Sequence, residues 1–260
     1  MPRSVISRSL GPFVAILWSL FLFWSVWTAA VWTLGIGATW LGFSAMPGGA
    51  PPPNADLRGA ILVMAEFADV AWLALAAVNL HLVITAAHGL RTARAWFSIA
   101  AGGAFVLAAA NNFTGIPFGW MSHYPTLGSR LFGISIGWML LWTVLLLGAR
   151  ETALRLHPRA SHRTASVLAA ALVLLTFANL TTVARVYRAW WGWHTGDIRS
   201  PAAMPPWAWA AWFLCPLLLL LAMREKSAVT AASHRSIRPL IILAILNALA
   251  LAVRLCAALG

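Results

Sequence analysis

Seven apolar segments, at about 11–34, 60–82, 95–113, 131–149, 165–184, 206–223 and 238–257, occupy most of this chain. A helix needs about 20 predominantly apolar residues to span some 30 Å of hydrocarbon, and each segment is close to that length. With 61% of its residues apolar and 9% charged, against roughly a quarter charged in soluble domains, the chain has to live in a bilayer. The expectation is an all-α fold, a single polytopic transmembrane helical bundle over residues 1–260 with about seven transmembrane helices. The first segment stays apolar well past Trp32, too far for the apolar core of a cleaved signal peptide, and is read as a retained anchor.

The distribution of cations orients the bundle. Short cytoplasmic connections collect Lys and Arg. Seven spans with a cytoplasmic N-terminus put twelve of the 18 cationic residues inside, among them Arg91, Arg94, Arg150, Arg155 and Lys226. The expected location is therefore a membrane of bacterial inner-membrane type. The net charge of +12 does not point to nucleic acid, because most of these arginines flank spans, where anionic lipid headgroups are the natural partner. Cys215 and Cys256 both fall in apolar runs and suggest no disulfide framework. Met46 to Gly59 is a proline-rich outer loop.

Two connections break the apolar pattern. From Gly115 to Trp142 the chain reads GIPFGWMSHYPTLGSRLFGISIGWMLLW, and from Trp190 to Trp212 it reads WWGWHTGDIRSPAAMPPWAWAAW. Pro117 and Gly119 flank Phe118 and force the chain out of helix, since proline lacks a donor and glycine admits positive φ. Of the 16 tryptophans, Trp18, Trp24, Trp27 and Trp32 fit interfacial or lipid-facing anchors. Trp190, Trp191, Trp193, Trp207, Trp209 and Trp212 are denser than anchoring requires, and either form a structural belt or line a site for a long apolar ligand.

Ionisable groups inside a span are costly, which makes each a candidate for function. At about 100° per residue Glu66, Asp69, His81 and His88 share one helix face. A carboxylic acid in apolar surroundings holds its proton and can donate it to a hydrophobic substrate. Either acid can instead pair with an arginine such as Arg185 or Arg254 and fasten helices. Lys226, the one lysine, lies in a connection, which excludes a retinal Schiff base inside the bundle. The six acids form no pair of aspartate-rich clusters of the kind that hold diphosphate through magnesium, and His157 and His162 lack acidic partners for a metal. Neither metal nor cofactor is expected.

The first interrupted stretch resembles the membrane carotenoid-biosynthesis family that includes the carotenoid end-group hydratases. The matching positions are Gly115, Pro117, Phe118, Gly119, Leu127, Gly128, Leu131, Phe132, Gly133 and Trp142, and later Trp191, Trp193, Pro205 and Trp212. The likeness spans roughly residues 105 to 220. It departs from the family at Met121 and His123, where tyrosines are usual, at Ala208 in place of an asparagine and at Ala108 in place of an acid.

What the resemblance implies is cofactor-free hydration of a terminal C=C bond of an acyclic carotenoid. An acid would protonate the alkene, aromatic faces would stabilise the tertiary carbocation, and a positioned water would add. Glu66 or Asp69 is then the expected proton donor and His123 the water-orienting group. Pro117, Phe118, Gly119, Trp142, Trp191, Trp193 and Trp212 are expected to bind the polyene or isoprenoid. The two interrupted connections should fold together above a greasy chamber. The competing reading is a non-catalytic carotenoid- or lipid-binding or assembly subunit. A solute transporter would show an inverted repeat between halves, and none is visible.

Overall fold

The computed structural model describes residues 3–34, 55–188, 190–194, 201–202, 204–224 and 236–259. The proline-rich stretch before residue 55 and the middle of the second interrupted connection, 195–200, lie outside the described residues. Eight α-helices follow in chain order: α1 (Arg3–Leu34), α2 (Ala55–Glu66), α3 (Ala68–His88), α4 (Leu90–Thr114), α5 (Ile136–Leu156), α6 (His162–Thr182), α7 (Pro206–Ala222) and α8 (Arg238–Leu259). Five of them, α1 from Gly11 onward, α3, α4, α6 and α8, are long and apolar enough to cross a membrane. The chain is an integral membrane protein.

The hub is α5, which packs against α3, α4, α6 and α8. Every residue from Leu141 to Leu154 in it is buried. A helix enclosed on all sides belongs to the protein core rather than to the lipid, so it tolerates polar residues that a lipid-facing helix would expel. Its Arg150 guanidinium lies 4.2 Å over the Trp96 ring, and Glu151 Oε1 sits 3.0 Å from His88 Nε2. Both residues were expected in or beside a cytoplasmic connection; the helix runs past them to Leu156.

Two expected spans have different bounds. The segment at 131–149 begins its helix only at Ile136, because Ser135 supplies an N-cap whose side chain accepts from the Trp138 N–H. The residues before it form a hairpin of β2 (Arg130–Leu131) and β3 (Ile134–Ser135). The segment at 60–82 is divided at Phe67 into α2 and α3. Two indoles of α1 brace that division: Trp27 Nε1 donates to Met64 O at 3.1 Å and Trp24 Nε1 to Ala68 O at 2.9 Å. These tryptophans are interhelical donors rather than lipid anchors, and Trp32, 3% exposed, is core.

One end of the bundle carries a cap. β1 (Met121–His123), from the α4–α5 connection, pairs antiparallel with β4 (Trp191–His194), from the α6–α7 connection, and β4 pairs with β5 (Pro201–Ala202). The register sets Met121 opposite Trp193, Ser122 opposite Gly192 and His123 opposite Trp191. Two glycines permit the close approach. A Cβ on Gly119, which has φ +85°, would stand 2.5 Å from Pro205 Cγ, and one on Gly137 would stand 2.4 Å from Leu127 Cγ.

Gly119→Ala therefore combines a clash with a left-handed backbone. It should cost about 2–4 kcal/mol, read as a lower unfolding midpoint in detergent. Gly102→Ala, where nothing lies within 4 Å of the added carbon, should show no such loss.

Candidate functional site

The Pro-Phe-Gly turn is held from three directions. The Asn111 side chain accepts from the Phe118 N–H at 2.8 Å and donates to Gly119 O at 2.8 Å. Trp193 Nε1 donates to Phe118 O at 2.8 Å. The positions that carry the family resemblance thus meet in space: Phe118 and Gly119 touch Trp193 and Pro205 across some eighty residues of chain. Sequence reasoning passed over Asn111, although a paired asparagine at the end of an apolar helix is a visible signal that a turn needs backbone partners.

Beneath the sheet the rings of Phe118, Trp138, Trp142, Trp191, Trp212 and Phe177 form one stack, each ring fully buried. Trp142 stacks on Trp212 at 5.1 Å between centroids, Trp212 on Phe177 at 3.4 Å, and Trp138 meets Trp191 edge to face at 5.3 Å. Offset and edge-to-face pairs each contribute about 0.5–1.5 kcal/mol beyond burial. The greasy chamber expected here is filled by these side chains. Trp142, Trp191 and Trp212 are accordingly the floor of the cap and not the walls of an open site. Trp207 and Trp209, by contrast, remain exposed.

A cleft of about 280 Å³ lies on the cap itself, lined by Asn112, Trp120, Met121, Ser122, His123, Arg130, Gly133 and His194. His123 is its deepest polar group, 3% exposed, with its ring edge to face on Trp138 at 4.8 Å. Neither ring nitrogen has a hydrogen-bond partner among the described residues. Burial, reinforced by the nearby Arg130 guanidinium, pushes its pKa down to about 4, so the imidazole is neutral at neutral pH. Beside it Ser122 Oγ and His194 Nε2 are 3.1 Å apart, and Arg130 Nη1 donates to His123 O at 3.4 Å. Of these, only His123 was expected in the site. Ser122, His194, Arg130 and Asn112 are unremarkable as letters and become neighbours only through strand pairing.

The second-span acids are placed differently from expectation. At the junction of α2 and α3 Glu66 is exposed while Asp69 is buried, although the backbone hydrogen bonds continue through Phe67. The two acids therefore do not face the same surroundings. Asp69 has polar rather than apolar surroundings. Its Oδ1 accepts from Trp32 Nε1 at 2.7 Å, and its Oδ2 accepts from Trp190 Nε1 at 2.7 Å and from Arg188 Nη2 and Nε at 2.9 and 3.1 Å. Four donors occupy the lone pairs that a carboxylate offers, which suits a fastener rather than a proton donor. The arginine is Arg188 rather than Arg254, and the side chain of Arg185 lies outside the described residues. Arg188 reaches Asp69 because α6 ends in a π-turn, Val183–Tyr187, a wider turn often found where side chains must be re-aimed. His81 packs edge to face on Phe97, and His88 belongs to the Glu151 pair. A larger, open groove of about 990 Å³ at the other end, between Leu156 and Leu168, is lined by no buried residue.

Two outcomes follow from this geometry. Asp69→Ala leaves the Arg188 guanidinium and two indole N–H groups without their acceptor and should cost about 3–5 kcal/mol of stability, measured by unfolding in detergent. His123 binds its proton more weakly folded than unfolded, so its contribution is complete above pH 6.5 and is lost as pH falls toward 4. Wild-type protein should lose roughly 3 kcal/mol over that window relative to His123→Phe, compared by unfolding the two proteins at each pH.

No family model matches the chain, nor does any curated protein or solved structure, which leaves the chemistry of its own residues to carry the functional reading.

Proposed function

We propose that the chain crosses a bacterial inner membrane seven times with its N-terminus in the cytoplasm, and that its capped, outer end adds water to a terminal C=C bond of an acyclic carotenoid. One observation carries the reading. The segments that resemble the hydratase family are joined by strand pairing, and this pairing buries His123, with both ring nitrogens unpartnered, against an aromatic floor. The excess of Lys and Arg at the end opposite the cap supports the orientation.

In this reading His123 replaces Glu66 and Asp69 as the proton donor. An imidazolium with a pKa of about 4 is as strong an acid as a carboxylic acid. It gives its proton to the CH carbon of the terminal C=C bond, a tertiary carbocation forms on the dimethyl-bearing end carbon, and Trp120, the aromatic ring that lines the cleft, stabilises that charge. Water then adds through oxygen and returns one proton to the imidazole, so the cycle closes with one water consumed. The cleft is small against the roughly 300–1,000 Å³ of pockets that enclose whole ligands and suits the end of a polyene whose length stays in the bilayer.

A second reading, a subunit that binds a polyene or lipid or assists assembly without chemistry, is favoured by the fact that no carboxyl group lines the cleft among the described residues. Membranes from cells that make lycopene separate the two. Hydration should yield more polar, hydroxylated pigment at a rate that rises about tenfold per pH unit from pH 7 toward 5, as the imidazolium fraction grows. His123→Phe should lower it at least a hundredfold, and Glu66→Gln should not change it. Unaltered pigment that co-purifies with the protein selects the second reading, and neither product nor retained pigment removes both.

A further inference from the structure

Among the described residues the cap cleft carries charge of one sign only. Arg130 brings a permanent cation, Asn112 an amide, and Ser122 a hydroxyl that can donate outward when His194 Nε2 donates to its oxygen. His194 Nδ1 and both nitrogens of His123 are unpartnered among the described residues. No acid lines the cleft among them. A concavity rich in donors, with a guanidinium and, among the described residues, no carboxylate, matches an anion with several acceptor oxygens, and phosphate above all.

The arm that brings Arg130 also supplies an apolar edge. In the β2–β3 hairpin Leu131 is 49% and Phe132 84% exposed. Phe132 holds φ 51°, a left-handed backbone that a residue with a Cβ rarely adopts, and its ring meets Phe105 of α4 edge to face at 6.4 Å. Phe113, 83% exposed on α4, extends that edge. Charge-donating groups on one side of a short hairpin and bare aromatic surface on the other fit an amphiphile. The volume, about 280 Å³, admits a headgroup and not a tail.

We infer that this cleft binds the phosphate of an anionic membrane lipid, with the lipid chains lying on Leu131, Phe132 and Phe113. The phosphate would occupy the same cleft that the hydration reading gives to the polyene end, so the two are separate readings of one site, and the lipid inference stands without hydration, since a phospholipid is neither substrate nor product of that reaction.

The test uses the full chain in nanodiscs of phosphatidylcholine with a minor share of phosphatidylglycerol, followed by extraction into mild detergent and native mass spectrometry. Wild type should keep one phosphatidylglycerol through washing. Arg130→Gln should keep about a tenth as much or less, the loss expected for a charged hydrogen bond, and Arg159→Gln, at the other end of the bundle, should match wild type. Ser122→Ala, a milder change, should weaken retention without lowering the unfolding midpoint, which covers the case of a misfolded Arg130 variant. Equal retention by wild type, Arg130→Gln and Ser122→Ala overturns the site. Displacement of the lipid by millimolar inorganic phosphate overturns the lipid assignment and leaves a site for the free anion. Both results are read without any pigment, so they are separate from the fate of the hydration reading.

Discussion

The antiparallel pairing of Met121–His123 with Trp191–Trp193 is the contact on which the capped end depends. Without it the α4–α5 and α6–α7 connections would be two loops over an apolar bundle, each with backbone groups to satisfy on its own. Pairing satisfies them mutually and sets a two-residue alternation. His123 and Met121 are then buried with Trp191 and Trp193, while Ser122 is half-buried beside His194. The indole of Trp193 extends the link to the Pro-Phe-Gly turn, and the turn is held in place by Asn111. The contacts that join the two connections, Ser122 with His194 and Trp193 with Phe118 O, descend from that one register.

Buried charge is handled by neutralisation everywhere else in the bundle. Asp69 is surrounded by a guanidinium and two indoles, Glu151 by His88, and the Arg150 cation by the face of Trp96. Between α6 and α8, Asn179 and Asn247 bond each other, and Asn247 also reaches Thr176, the interhelical use of amides common in membranes. Among the described residues the buried His123 has both ring nitrogens unpartnered, and a buried titratable group of that kind calls for an explanation in ligand or chemistry.

Much of the architecture was legible in the sequence. Each of the seven apolar segments contains a helix, and the two interruptions, at Met121–His123 and Trp191–His194, do leave helix and come together. What was not legible has physical causes. Helical periodicity placed Glu66 and Asp69 about 60° apart and could not show that the boundary between exposed and buried surface falls between them. The start of α5 was set by a serine cap inside an apolar run rather than by hydropathy. Arg188 was overlooked as the partner of Asp69 because a π-turn shifts its direction by more than regular helical geometry allows. The tryptophans were read as either belt or cavity wall, and their actual state, a packed floor, depends on ring-to-ring geometry that composition does not encode. Arg130, Ser122 and His194 gained meaning only through a strand register formed between segments some seventy residues apart.

The burial of α5 also links the two ends of the molecule mechanically. At its first turn it is anchored by Ser135 and supports His123 through Trp138. Near its last turn it holds Arg150 and Glu151 against Trp96 and His88. A helix of 21 residues, rising about 1.5 Å per residue, acts as a strut some 30 Å long with no free side on which to slip. Loosening either end must disturb the other, so the sheet-bearing end and the far polar cluster form one cooperative unit rather than two independently fraying ones.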